Sequence, residues 1–198
     1  MDSMPESKMR VLLVDNDTGR AALLQAALHK AGYAVIAQAA TSVDLLAQVR
    51  AAEPDVVIID RDSPDRDTLE HVCVVTRDQP RPIVMFSDDG DRKAIRAAVE
   101  AGVSAYVVGK ISADRIRPIV EVAVARFEQF QAVRQELDKA KVSLAERKQI
   151  ERAKGIVMQQ SGCNEDEAYN RLRKLAMERN RRLAEVAQDV IEMAKLMA

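Results

Sequence analysis

Acids, a hydroxyl and an amine recur at the ends of apolar runs in the first half of this chain, and together they suit one chemistry. Asp15, Asn16 and Asp17 follow VLLV, Asp60 follows VVII, Ser87 follows IVMF, and Gly109–Lys110 follow AYVV. A carboxylate such as Asp60 can accept a phosphoryl group as a nucleophile. Neighbouring acids, here Asp15 and Asp17 with Asp60 itself, can hold Mg²⁺ against the phosphoryl oxygens, which a hydroxyl (Ser87) and an ammonium (Lys110) can also bind. The plainer reading makes each residue a helix cap, a common use of Asp and Ser after a strand. Singly, each residue favours the cap; as a set at successive element ends, they favour a phosphoacceptor pocket with Asp60 at its centre.

For these groups to meet, the runs that precede them must lie side by side. Val11–Asp15, Ala34–Ala37, Val56–Ile59, Ile83–Phe86 and Ala105–Val108 read as strands. Thr18–Lys30, Ser42–Ala52, Asp67–Thr76 and Arg92–Ala101 read as intervening helices, with Gly32 and Gly102 closing the first and last. Such alternation calls for a parallel sheet covered on both faces, with functional groups gathered at the carboxyl ends of the strands. Residues 1–8 read as a loose tail.

Composition narrows the rest. Aromatics are 3% of the 198 residues and Trp is absent, which disfavours an extended base-stacking platform. His71 and Cys73 lie close together, but with Cys163 far away they supply too few ligands for a metal site. Unpaired cysteines, an N-terminus without an apolar signal core and no apolar run of membrane-span length predict a cytoplasmic protein with no membrane partner. The net charge of −1 conceals an asymmetry: residues 147–182 hold ten Lys/Arg against five Asp/Glu, so this segment carries +5 and the remainder −6. Such a segment can meet phosphate, or it can be an ordinary solvated helix face.

Residues 9 to about 120 resemble the receiver domains of two-component response regulators, on the strength of VLLVDND, PDVVIIDRDSP, PIVMFSD and AGVSAYVVGKI. The resemblance implies a five-stranded flavodoxin-like α/β sheet, Asp60 as phosphoacceptor, and a histidine kinase or sensor protein as partner. Two positions depart from the pattern. Asn16 stands where a second metal-ligating acid is usual, which weakens any Mg²⁺ site by a full charge. Gly109 stands in the lysine position, leaving Lys110 one residue late and, in an extended chain, on the opposite face.

From Ser112 to about Gln160 the chain reads as one helix. One heptad frame places Ile116, Ile119, Ala123, Arg126, Phe130, Val133, Leu137, Ala140, Leu144 and Arg147 at the seam positions. Eight of these ten are apolar, which predicts a coiled-coil homodimer through residues 116–147, with 121–146 as the connector. The alternative is a single helix packed back on the first domain, which accounts for Ile116 to Phe130 but leaves Val133 to Leu144 uncovered.

The last part, 147–198, breaks into three helices. Gly162 stops the long one, Asn164 and Glu167 form a capping box for a second over Glu165–Glu178, and Leu183 to about Met197 makes the third. Ala153, Ile156, Val157, Ala168, Leu172, Leu175, Ala176, Leu183, Val186, Ala187 and Val190 recur at helical spacing as a small core. Arg152, Lys154, Arg171, Arg173, Lys174, Arg179, Arg181 and Arg182 interleave with it as a candidate phosphate-pairing patch. No tight turn of three to four residues joining two helices of contrasting character is evident, which counts against a DNA-reading helix-turn-helix.

The run ERAKGIVMQQSGCNEDEAYNRLRKLAMERNRRLAEVAQDVI looks like the ANTAR domain, an RNA-binding antitermination module. The resemblance rests on Ala153–Lys154–Gly155, the Gly162 turn, Glu167–Ala168–Tyr169, Leu172–Arg173, Ala176–Met177 and Val186–Ala187. It implies recognition of hairpin RNA in leader transcripts, and with the receiver it points to NasT-type regulators of nitrate assimilation. Two other readings stay open: a DNA-binding response regulator, and a protein-interaction adaptor that meets no nucleic acid. An enzyme is the least supported, because apart from self-phosphorylation of Asp60 the sequence offers no nucleophile–base pair and no phosphate-cradling glycine loop.

Overall fold

The computed structural model describes residues 8–39, 44–109 and 113–196. The chain divides into two compact units, 1–131 and 132–198.

In the first unit the alternation is realised as β1 (Arg10–Asp15), α1 (Thr18–Lys30), β2 (Ala34–Ala39), α2 (Leu45–Ala52), β3 (Val56–Asp60), α3 (Arg66–Asp78), β4 (Ile83–Ser87), α4 (Arg92–Ala101) and β5 (Ala105–Val108). The strands form one parallel sheet in the order β2-β1-β3-β4-β5. This is the flavodoxin-like order, which reverses direction between β1 and β3 and opens a crevice at their carboxyl ends. Continuous apolar strands follow from burial on both faces. Val11, Leu13, Ile58 and Phe86 pack with Ala21, Leu24 and Leu28 of α1. Leu12, Val14, Ile59 and Met85 pack on the other side with Leu45, Val49, Val72, Val75 and Ala98 of α2, α3 and α4.

In this unit the expected helix bounds hold for α1 and α4 and shift by a few residues for α2 and α3. Ser42, expected to open α2, lies outside the described residues, as do 1–7 of the expected tail. α1 ends where Gly32 at φ 95° lets the amides of Gly32 and Tyr33 turn back to the carbonyls of His29 and Leu28.

α5 (Ala113–Ser161) is a single helix of 49 residues. Here the structure corrects the expected seam. Ile116, Val120 and Ala123 are fully buried in the core shared with α1, and Ile119 and Val124 pack against it. The first turns of α5 are therefore a layer of the receiver, and only the part beyond them is free to pair. There Phe130, Val133, Leu137 and Leu144 are each more than half exposed.

In the second unit the end of α5 packs with α6 (Glu165–Glu178) and α7 (Leu183–Leu196). All the expected core residues but Ala168 pack in one cluster, with Ile150 and Ile191 added, and Ala168 is itself fully buried. The Asn164 side chain accepts from the Glu167 amide at 2.9 Å and Glu167 reaches back to the Asn164 amide at 3.4 Å, which is the anticipated capping box. At the end of α6, Asn180 at φ 50° closes a Schellman turn: its amide bonds the Met177 carbonyl, and the Arg181 amide that of Ala176. This corrects one expectation. Only residues 179–182 separate α6 from α7 and only 162–164 separate α5 from α6, so connection length gives no argument against a helix-turn-helix.

Candidate functional site

The crevice of the first unit is built by register. Asp15 and Asp60 are direct partners across β1 and β3, so two carboxylates, 3% and 5% exposed, are fixed side by side. Asp15 accepts the Asp17 amide at 2.8 Å. Asp17 itself, expected as a third acid of the pocket, is the N-cap of α1: its carboxylate accepts the Arg20 amide at 2.9 Å. The backbone amides of Arg20 and Gly19 hold the Asp17 carboxyl below the usual carboxylate range.

The residue that sequence reading missed is Arg20, the third of α1. Its Nη2 lies 3.1 Å from Asp15 Oδ1 and 3.2 Å from Asn16 Oδ1, its Nε lies 3.3 Å from both Asp15 Oδ2 and Asp60 Oδ2, and its Nη1 pairs with Asp62. These contacts raise the pKa of the guanidinium, with the Asp15 hydrogen bond as the largest cause. The available signal was position: a long side chain in the first turn after an acid-tipped strand reaches back over the strand end.

Ser87 is buried; its hydroxyl donates to the Asp62 carbonyl at 2.9 Å and accepts the Asp89 amide at 3.1 Å. Tyr106 donates to the Asp89 carbonyl at 2.8 Å, tying β5 to the same loop. Gly109 stands at φ 92°, a conformation that favours glycine, so the strand end as folded disfavours a lysine there. Lys110 lies outside the described residues. A cleft of about 360 Å³ opens beside these groups, lined by Arg20, Asp60, Arg61 and Ser87 and floored by Leu23, Leu24 and Ala27.

Fold and site together define a receiver-type response regulator with an altered acidic pocket. The response regulator receiver domain family matches residues 11–121, and the chain belongs to that family. Residues 138–191 match the ANTAR domain, so the chain couples a receiver to an ANTAR domain in one transcription regulator. Among relatives, the "Transcriptional regulatory protein PdtaR" of Mycobacterium tuberculosis is 29% identical over 183 residues, spanning 92% of this chain and 89% of that protein. The "Nitrate regulatory protein" of Klebsiella oxytoca is 37% identical over 68 residues, 34% of this chain and 17% of that protein. The receiver domain of a modulated diguanylate cyclase from Desulfovibrio desulfuricans G20 shares the fold, with TM-score 0.55 and 19% identity over 62% of this chain and 98% of that one.

The receiver fold implies Mg²⁺, and the donor set tests whether it fits. Asp15 and Asp60 offer suitable oxygens and Asn16 a neutral one, but Arg20 already lies on all three. No group of three or more His, Cys, Asp or Glu arranged to hold a metal exists among the described residues. As they stand, these side chains do not fit the ion.

One guanidinium shared among three carboxylates does not fully offset burial. Burial pushes the Asp60 carboxyl up to about 6, with Arg20 opposing the rise and Asp15, Asp62 and Asp88 adding to it. Its Oδ2 is buried without a hydrogen bond. Because the folded chain holds this proton more tightly than the unfolded one, the stability it contributes is complete below about pH 4 and lost as pH rises through about 6. Asp60→Asn is therefore expected to raise the urea midpoint near neutrality, by roughly 1–2 kcal/mol of stability, with the gain vanishing near pH 4. A loss of stability at neutral pH would contradict this.

In the second unit the eight basic candidates separate. Lys154 is buried, its Nζ 2.8 Å from Glu151 and 2.6 Å from Glu165, which joins α5 to the first turn of α6. The two glutamates raise its pKa, and it lowers that of Glu165. Arg181 bonds Glu185 at 3.2 Å and pairs with Asp189 of α7. Lys174 lies 3.9 Å from Glu178. Arg152, Arg171, Arg173, Arg179 and Arg182 are exposed and make no ion pair among the described residues. Arg173 and Arg182 line a shallow cleft with Tyr169, Met177, Asn180 and Leu183. Tyr169, 40% exposed, was legible only as part of the ANTAR pattern; as the single aromatic residue of α6, it stands one turn before Arg173.

No helix among the described residues is long and apolar enough to cross a membrane.

Proposed function

We propose that this chain is an antitermination regulator that binds hairpin RNA through the surface of α6 and the α6–α7 corner, as a homodimer joined along α5. The observation that carries the reading is the cleft where Tyr169, Arg173, Met177 and Arg182 meet, on a module that matches the ANTAR domain. An exposed ring beside unpaired guanidinium groups suits an unstacked loop base flanked by phosphates. Arg152, Arg171 and Arg179 supply further cations for the stem. Of the remaining basic side chains, Lys154, Lys174 and Arg181, only the loosely paired Lys174 can turn to RNA without breaking a close internal ion pair.

The receiver is the control element, engaged by a sensor protein or histidine kinase that masks or releases the RNA-binding helices. Control of nitrate or nitrite assimilation is the physiological reading, supported by resemblance to NasT-type regulators and by the match to the Klebsiella protein. The test is binding of the full chain to a hairpin RNA and to duplex DNA of equal charge at several salt concentrations. Tighter binding of the hairpin is the expected result. Preference for the duplex makes the C-terminal helices a DNA reader, and binding to neither makes the chain a protein adaptor; both overturn the proposal.

A further inference from the structure

The register that places Asp15 opposite Asp60 sets an electrostatic problem that the fold must solve. Neighbouring strands run about 4.8 Å apart, so buried carboxylates at paired positions repel unless a cation or a proton lies between them. In this chain the cation is covalently attached. Arg20 presents three nitrogens to four side chains, and both of its inner partners, Asp15 and Asp60, are buried. This differs from a surface ion pair, where both groups keep their water and little is gained.

A guanidinium and a divalent ion cannot share the space. Mg²⁺ demands oxygen ligands at about 2.0–2.1 Å in octahedral geometry, and both Asp15 oxygens are already engaged by Arg20. Asn16 compounds the effect: it accepts from Arg20 at 3.2 Å and brings no charge to attract a metal in its place. The planar guanidinium directs donors at Asp15, Asp60 and Asn16 at once, whereas an ion seeking six oxygen ligands finds few in these three side chains.

We propose that Arg20 is the resident counter-cation of this receiver's acidic pocket, standing in for the divalent metal, so that metal enters only when the Arg20 side chain leaves. The pocket is then held in one arrangement by the chain itself, independently of divalent metal. Asp62, 75% exposed at its side chain, forms the outer end of the clamp.

The test uses the full chain and the variant Arg20→Met, which keeps the length and removes the charge. The readouts are melting temperature in EDTA and in millimolar MgCl₂, and direct titration with Mn²⁺ followed by its paramagnetic resonance. The unmodified chain is expected to melt at the same temperature with and without Mg²⁺. Arg20→Met is expected to melt lower in EDTA, to recover in MgCl₂, and to bind Mn²⁺ at least about tenfold more tightly. Equal Mn²⁺ affinity in the two proteins, or an Arg20→Met variant that melts as the parent does in EDTA, overturns the proposal. Should Arg20→Met not fold without metal, Arg20→Met/Asp60→Asn removes one acid together with the guanidinium and is expected to fold in EDTA. Its failure to do so would show that Arg20 serves packing and not charge, and would likewise overturn the proposal.

Discussion

A chain carrying Leu137→Lys and Leu144→Lys is expected to sediment as a monomer at micromolar concentrations where the unmodified chain sediments as a dimer. The two leucines stand seven residues apart on α5, 52% and 55% exposed, with Phe130 and Val133 continuing the same stripe. Burying each leucine against a partner is worth about 1.5–3 kcal/mol, and a two-fold dimer buries four. Each is already about half covered in the lone chain, so losing all four weakens association by roughly 3–6 kcal/mol, about two to four orders of magnitude, before the cost of burying lysine is counted. Ile116, Val120 and Ala123 are unsuitable targets for this test, because charges there would disrupt the receiver core. A parent chain that is monomeric under these conditions would mean that something other than a second copy covers the stripe.

The second large effect concerns RNA. Arg173→Ala is expected to weaken hairpin binding by roughly 1–3 kcal/mol, about fivefold to more than a hundredfold, if the guanidinium stacks on or bonds a base. If it meets phosphate only, the loss is smaller and the salt dependence falls by about one charge. Lys154→Ala should behave differently. It leaves Glu151 and Glu165 without their shared cation, so the melting temperature falls, while affinity well below the melt is retained. An Arg173→Ala variant that binds RNA as the parent does, or a Lys154→Ala variant that melts normally yet loses RNA, would invert these roles.

How far the sequence foretold this molecule depends on the kind of signal. Apolar periods and caps are local, so α1, the capping box at Asn164 and the five strands were legible within a few residues. The stripe on α5 was equally visible, but a period shows that a face is covered and not by what. Ile116 and Ala123 therefore read as seam although they belong to the receiver core. Charge counting has the same limit: Lys154 contributes to a local excess of +5 while glutamates on two helices hold it. Asp17 read as a ligand because the acids were counted along the strand end, whereas the helix start claims its carboxylate. Arg20 escapes such counting for the converse reason: its position in the first turn of α1 is visible, but its role depends on a side chain reaching back across the crevice.

The long helix also has a consequence for local opening. Every residue from 132 to 145 is exposed, whereas both ends of α5 are anchored in cores. A helical stretch of this length without tertiary contacts is marginal in water, so in a lone chain its amides should exchange with solvent faster than those on either side. Pairing through Phe130, Val133, Leu137 and Leu144 would protect them. Deuterium uptake over these fourteen amides would then slow as protein concentration rises, while uptake elsewhere stayed constant, making the middle of α5 a gauge of assembly state.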